Sequence, residues 1–374
     1  MDSRPFSDRI KSVSSMLSGC GKSGVDALIL VCQDGVGWEN IYYLSGFTGT
    51  SGVLVITADD SILFVDPRYD IVAGETCCCR LVSCMRERCV TPLRAALDYL
   101  VTRHARVVGC DGSRISHHVY TEMERAFAGR ELADLSSLLV SLRRHKSDDE
   151  VGHIRSAIRI ASDAFLTALS EASAGMSERE FACSMEYWMR MKGGDFANPI
   201  PIIVSSGVRT SMPHAIPSDK TFGHGDMVMV DFCARSSGYV CDITRMFSVG
   251  EPSRESLSLY SVARWAQAEA AALIRPGRGA CELDSASRCV ISSAGFGDFF
   301  THGVGHGFGL SVHEMLAINA AVEHPLEMGD TITLEPGFYK PGWGGIRVED
   351  DYLVTSSGGL CLTEELSNEL YVIG

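Results

Sequence analysis

The sequence predicts a two-domain α/β protein whose second half is of the α+β kind, and three observations carry that expectation. The chain has 374 residues, more than one ordinary hydrophobic core encloses. Its first part alternates short apolar runs with helically spaced segments. Its last part, from about residue 199, is dominated by strand-like runs that follow two long amphipathic helices.

The elements of the first part follow in order. "DALILVC" (26–32), "GVLVIT" (52–57) and "SILFVD" (61–66) are apolar runs of strand length, the last after an Asp59-Asp60 turn. "TPLRAALDYLVTR" (91–103) has helical spacing, and "RVVGCDG" (106–112) reads as another strand. A break falls at the basic run Arg143 to Lys146, read as an exposed linker, with nucleic-acid binding a remote alternative. The expected domains are therefore 1–143 and 147–374. Ser147 with Glu150 forms a capping box, and Ile154, Ile158, Ala161 and Phe165 continue at helical spacing. Ser177 with Glu180 repeats the device. Two further helices are expected near 254–274 and 280–293, and the chain closes on two strand-like stretches, "DTITLEPGFY" and "GIRVEDDYLVT".

Composition narrows the class. Hydrophobic residues make up 45% and charged residues 21%, which fits a compact folded protein and not a disordered one. A net charge of −14 argues against nucleic-acid binding by phosphate neutralisation. No apolar run approaches the roughly 20 residues of a membrane span, and the start, "MDSRPFSDRIKSV", has no apolar core of a signal peptide. Fourteen cysteines without an export signal read as reduced thiols of a cytoplasmic protein. Cys77, Cys78, Cys79, Cys84 and Cys89 lack the paired C-x-x-C spacing of a zinc site, so metal binding there is the lesser reading.

The chemistry begins at "MVMVDFCARSSGYVCDITRMF", two strand-like runs around the turn-forming "RSSG". A turn centred between Ser236 and Ser237 sets Asp231 across from Asp242, a destabilising like-charge pair in apolar surroundings. A divalent cation, a shared proton or a different register would each relieve it. Glu335 ends a strand before a Pro-Gly turn, and a period of two puts Arg347, Glu349 and Asp351 on one face. Four carboxylates among apolar neighbours, together with a histidine source, favour metal.

That source is "THGVGHGFGLSVHE" (301–314). Its glycines, each costing a helix about 1 kcal/mol relative to alanine, exclude the i, i+4 histidine pair of a helical zinc motif. The pattern fails as G-x-G-x-x-G because Phe308 occupies the third glycine position, and no Walker lysine is present. One imidazole among four carboxylates is a hard, oxygen-rich set suited to Mn2+ or Co2+. Five side chains exceed one open catalytic ion, so two ions about 3.5–4 Å apart, sharing an activated hydroxide, are expected.

These residues resemble the pita-bread metallopeptidases: Xaa-Pro aminopeptidase (aminopeptidase P), Xaa-Pro dipeptidase (prolidase) and, more distantly, methionine aminopeptidase. The matching segments are "MPHAIPSDK", "VDFCARSSGYVCDITRMF", "HGVGHGFGLSVHE", "LEPGFY" and "GIRVEDD", in family order. "NIYYLSGFTGTSG" and "FVDPRY" resemble the creatinase-like N-terminal domain of the Xaa-Pro members, so the likeness covers nearly the whole chain. It implies a curved antiparallel sheet covered by helices, and metal ligands Asp231, Asp242, His306, Glu335 and Glu349, with Asp242 and Glu349 bridging two ions. Mn2+ is the expected metal, with Co2+ or Zn2+ as alternatives.

The resemblance also assigns the neighbours of the metal. His214 and His313 face the substrate and stabilise the oxyanion, His302 lines the pocket, Arg347 lies by the bridging carboxylate or substrate, and Glu335 doubles as proton shuttle. The implied reaction is hydrolysis of the bond before proline in small peptides, by a homodimer. Aminopeptidase P is favoured by "GFTGTSG", with prolidase the alternative and an inactive binding module a further one. Cys233, Cys241 and Met246 depart from the family's usual glycine, serine and threonine. Cys233 is expected on the face of Asp231, as a small buried thiol.

Overall fold

The structure, a computed structural model, describes residues 4–19, 24–84, 90–195 and 199–374; Cys89 of the cysteine-rich stretch lies outside them. The chain folds as two compact units, Met1–Arg143 and Arg144–Gly374.

The first unit is built on a mixed six-stranded sheet. Its order is Arg80–Ser83, Ser61–Val65, Gly52–Thr57, Ala27–Cys32, Val107–Cys110 and Glu131–Asp134. The strands Ala27–Cys32 and Gly52–Thr57 are buried along their whole length. That explains their unbroken apolar runs: a strand covered on both faces has no solvent side to alternate with. Helix Pro92–Thr102 starts where Thr91 accepts the N–H of Arg94, with Pro92 in the first turn. Its Ala96, Leu97 and Leu100 pack onto the sheet's core. Cys77, Cys78 and Cys79 are half-buried and unbridged.

The second unit opens with helices Asp148–Glu171 and Glu178–Met191, both closed by the expected capping boxes at Ser147/Glu150 and Ser177/Glu180. A four-stranded sheet runs Tyr371–Ile373, Ile243–Val249, Met227–Phe232 and Ile203–Ser206. A five-stranded antiparallel sheet runs Glu314–Ile318, Gly305–Gly307, Thr331–Leu334, Asp350–Thr355 and Gly358–Cys361. A bridge between Thr244 and Glu349 joins the two sheets. Helices Arg254–Ala271 and Ala280–Ser293 cover them, burying Ala263, Ala266, Leu283 and Ile291 with Ile332, Leu334 and Ile346.

Three sequence expectations need correction. The basic run Arg143 to Lys146 is not an exposed linker: Arg143 and the Lys146 side chain are each 4% exposed, because Arg144 and Lys146 pair with buried acids. The hairpin turns at Ser237-Gly238, not between Ser236 and Ser237. Both turn residues have positive φ, 49° and 83°, the type I′ geometry that Gly238 makes accessible. Asp231 therefore pairs with Thr244, and the Asp242 side chain meets Cys233. The shift moves the partner by two positions, so both aspartates keep one face and meet diagonally. "GIRVEDDYLVT" is also not one strand. It divides into Gly344–Arg347, in a hairpin with Gly337–Lys340, and Asp350–Thr355 in the five-stranded sheet. Glu349 sits in the gap, where the chain changes sheets.

Candidate metal centre

The strand Met227–Phe232 is buried at all six positions, so folding carries Asp231 inward with its apolar neighbours. Asp231, Asp242 and Glu349 are 7%, 4% and 2% exposed. Thr244 lies between the acids: its hydroxyl donates to Glu349 Oε2 at 2.8 Å and accepts from Arg347 Nε at 3.0 Å. Asp351 accepts the backbone N–H of Asp242 at 3.1 Å and so fixes the point where the hairpin re-enters its sheet.

Arg347 is the organising cation. Its guanidinium donates to Asp231 Oδ2 at 2.6 Å, to the Tyr339 hydroxyl at 2.8 Å and to the Pro213 carbonyl at 3.2 and 3.3 Å. The last contact holds the chain beside His214. The Tyr339 hydroxyl then donates to His302 Nε2 at 3.0 Å, and His302 Nδ1–H donates to the Gly303 carbonyl at 2.7 Å. Both ring nitrogens of His302 are thereby engaged. Burial holds its pKa down at about 4, which keeps the ring neutral, as a proton-accepting Nε2 requires.

His306 comes from the strand Gly305–Gly307. Its glycines are steric: a Cβ on Gly305 would stand 2.0 Å from the Thr333 carbonyl oxygen. Nδ1–H of His306 donates to the Gly307 carbonyl at 3.2 Å, leaving the Nε2 lone pair facing Asp242 Oδ2 and Glu335 Oε1, each at 3.6 Å. Burial first, then His313, holds this ring's pKa down to about 4. The rings of His306 and His313 approach to 4.4 Å between centroids. His313 is exposed, as is His214, and the two lie within electrostatic reach of each other.

Burial raises the carboxyls of Asp242 and Glu349 well above the usual range; the charge of Asp231 adds to it at Asp242, and that of Asp242 at Glu349. Glu335 is pushed up to about 7 by burial, against the pull of Arg347. Asp231 keeps one buried oxygen, Oδ1, without a hydrogen-bond partner. Four acids around one guanidinium, one with an orphaned buried oxygen, form a site short of positive charge. Donor atoms of Asp242, His306 and Glu349 lie within 4.8 Å of one another, compatible with one cation. The donor set fits a divalent metal: hard oxygens and one neutral imidazole.

Sequence reasoning thus pointed at side chains that the fold brings together. It missed Thr244 and Tyr339, which link Arg347 to Glu349 and to His302. Thr244 carried a signal, two positions after Asp242 and on the same face; Tyr339 carried none, because its partner Arg347 is eight residues away across a hairpin. Cys233 is buried, with its thiol raised well above its ordinary value by burial and by Asp242 and Asp231. The protonated sulfur donates to Asp242 Oδ1 at 2.9 Å.

The profile of metallopeptidase family M24 matches residues 152–356, more than half of the chain. This protein belongs to metallopeptidase family M24. The creatinase/prolidase N-terminal domain matches residues 13–145 of the same chain. Among M24 relatives, the Xaa-Pro dipeptidase of Pyrococcus furiosus is 32% identical over 87% of this chain and 91% of its own. The crystal structure of an X-Pro aminopeptidase from Thermotoga maritima superposes with a TM-score of 0.88 at 31% identity, covering 94% of this chain and 98% of that one. An Xaa-Pro dipeptidase from Bacillus anthracis gives 0.89 at 30% identity, over the full length of both. The protein is thus an M24 hydrolase with the pita-bread fold, and the family implies a divalent-metal site. Among the described residues no helix is long and apolar enough to cross a membrane.

Proposed function

We propose that this M24 peptidase hydrolyses the bond preceding proline in small peptides, as an Xaa-Pro aminopeptidase. The observation that carries the reading is the convergence of Asp242, His306 and Glu349 donor atoms within 4.8 Å, beside Glu335 and Asp231. Those five side chains hold the metal, and five donors are more than one open catalytic ion takes, which supports two ions, Mn2+ by the hardness of the set. When bound, such ions polarise the scissile carbonyl and lower the pKa of water.

The chain's own residues do the rest. Arg347 fixes the Asp231 carboxylate and the backbone before His214. His214 and His313 donate hydrogen bonds to the developing oxyanion. Glu335, beside the His306 imidazole, takes up a proton and passes it to the leaving nitrogen. Proline's nitrogen carries no N–H, so the site contacts the carbonyl and not an amide donor.

Aminopeptidase is favoured over dipeptidase because every donor group of Arg347 is committed within the site. It is not free to clamp the terminal carboxylate of a dipeptide. The Xaa-Pro dipeptidase names of two relatives favour the second reading, prolidase. Protein loaded with Mn2+ should cleave Ala-Pro-Ala faster than Ala-Pro, lose activity in EDTA and regain it with Mn2+, while Asp242→Ala stays inactive. A strong preference for Ala-Pro would replace the reading with prolidase. Full activity in EDTA, or none with metal, would sink both.

A further inference from the structure

The proposed reaction places His313 over the substrate, yet His313 sits on a loop rather than on a strand, in residues 308–313 ahead of the strand Glu314–Ile318. Something has to hold that loop. Its upstream end is pinned where the Gly309 carbonyl accepts the N–H of Val240 at 2.8 Å. Its downstream end is held by the residue after the histidine. Glu314 Oε1 accepts the N–H groups of Leu310 at 3.1 Å and Ser311 at 3.3 Å, closing the chain on itself.

The other oxygen of that carboxylate, Oε2, meets Lys146 Nζ at 3.2 Å, and both side chains are only 4% exposed. Lys146 belongs to the basic run that the sequence presents as a solvated linker. Its flanks are fixed: Arg144 donates to Asp330 at 2.7 and 2.9 Å and to Glu327 at 2.6 Å, while the Lys146 N–H donates to the Gly329 carbonyl at 3.0 Å. The pair also accounts for a glycine. A Cβ at Gly309 would stand 2.7 Å from Glu314 Oε2 and 2.9 Å from Lys146 Cε. A side chain at Gly309 would have to displace the pair where it crosses the loop.

We propose that Lys146 is a positioning residue for His313, acting through the buried carboxylate of Glu314. A buried ion pair adds little net stability, but removing one partner strands the other's charge. Here the stranded group would be the carboxylate that closes the His313 loop. Its relief, by drawing in water or turning outward, frees the Leu310 and Ser311 amides and lets His313 wander. Misplacing a catalytic group by about an ångström is enough to lose rate.

The inference rests on the reading of His313 as substrate-facing, and the test separates the two. Lys146→Met keeps the apolar stem and removes the charge. In metal-loaded enzyme it should lower kcat/KM for Ala-Pro-Ala about tenfold, with bound metal unchanged. Hydrogen exchange should rise in the peptide spanning 309–315. Placed on a His313→Ala background, Lys146→Met should cost less than twofold, because the group it positions is gone. Equal losses in both backgrounds, or unchanged exchange at 309–315, overturn the proposal. If Lys146→Met does not fold, the double variant Lys146→Met/Glu314→Gln leaves an amide oxygen for Leu310 and Ser311 and strands no charge; it should then be soluble and retain most of its protection. A double variant that also unfolds shows a structural role only and overturns it too. Should His313→Ala alone leave turnover intact, the reading of His313 fails, and exchange at 309–315 still decides whether Lys146 holds the loop.

Discussion

Two buried arginines stand on either side of the same strand junction, and their surroundings differ in one respect. Arg245 donates through all its nitrogens, to Asp350 at 2.6 Å and to the carbonyls of Ser367, Thr244, Glu349 and Leu366. Asp350 also accepts from Thr363 and Asn368. Around Arg245 the guanidinium makes its ion pair with Asp350, and every polar atom named has a partner. Arg347 is equally well bonded, but its neighbourhood holds Asp231, Asp242, Glu335 and Glu349. Burial is the same at both; the surplus of negative charge is not. Buried charge that the chain balances by itself is architecture, and buried charge left in excess marks where something else binds.

That contrast can be broken by experiment. Asp242→Ala should abolish turnover, by at least about 1,000-fold or roughly 4 kcal/mol of barrier. Because it removes one of the surplus acids, the metal-free protein should melt no lower than wild type in a thermal scan. A large fall in Tm would show that the site is as structural as the Arg245 cluster. Arg245→Met should do the reverse. Stranding Asp350 should cost about 3–5 kcal/mol in urea unfolding, with activity per folded molecule much less affected.

A pH series sharpens the comparison further. Glu335 has its folded pKa raised from 4.5 to about 7, so its contribution to metal-free stability is present below the lower value and lost as pH rises through the upper one. Glu335→Gln should therefore be stabilised relative to wild type at pH 8 but not at pH 4, by on the order of 1–3 kcal/mol. Saturating Mn2+ should erase or invert the difference. An equal offset at both pH values would mean that Glu335 does not titrate in this window. The smallest effect is expected from Tyr339→Phe, which removes one hydroxyl between Arg347 and His302 and should cost about 1 kcal/mol in kcat/KM. Metal content should stay unchanged.

Much of this was legible in the chain. Capping boxes at Ser147 and Ser177 and unbroken apolar runs at 27–32 and 52–57 depend on near neighbours, and local chemistry decided them. The candidate ligands were legible as a set, since acids in buried strands need an explanation wherever they fall. Tertiary structure alone decided the rest. A glycine with positive φ moved the hairpin turn by one residue and turned Asp231 toward Thr244. A change of sheet at Glu349 split a run that alternation read as continuous. Lys146, in a run read as solvated linker, is buried against Glu314, 168 residues away. Sequence pattern reports periodicity and burial within a segment; which charges meet across segments depends on register and loop path, which are set only when the sheets close.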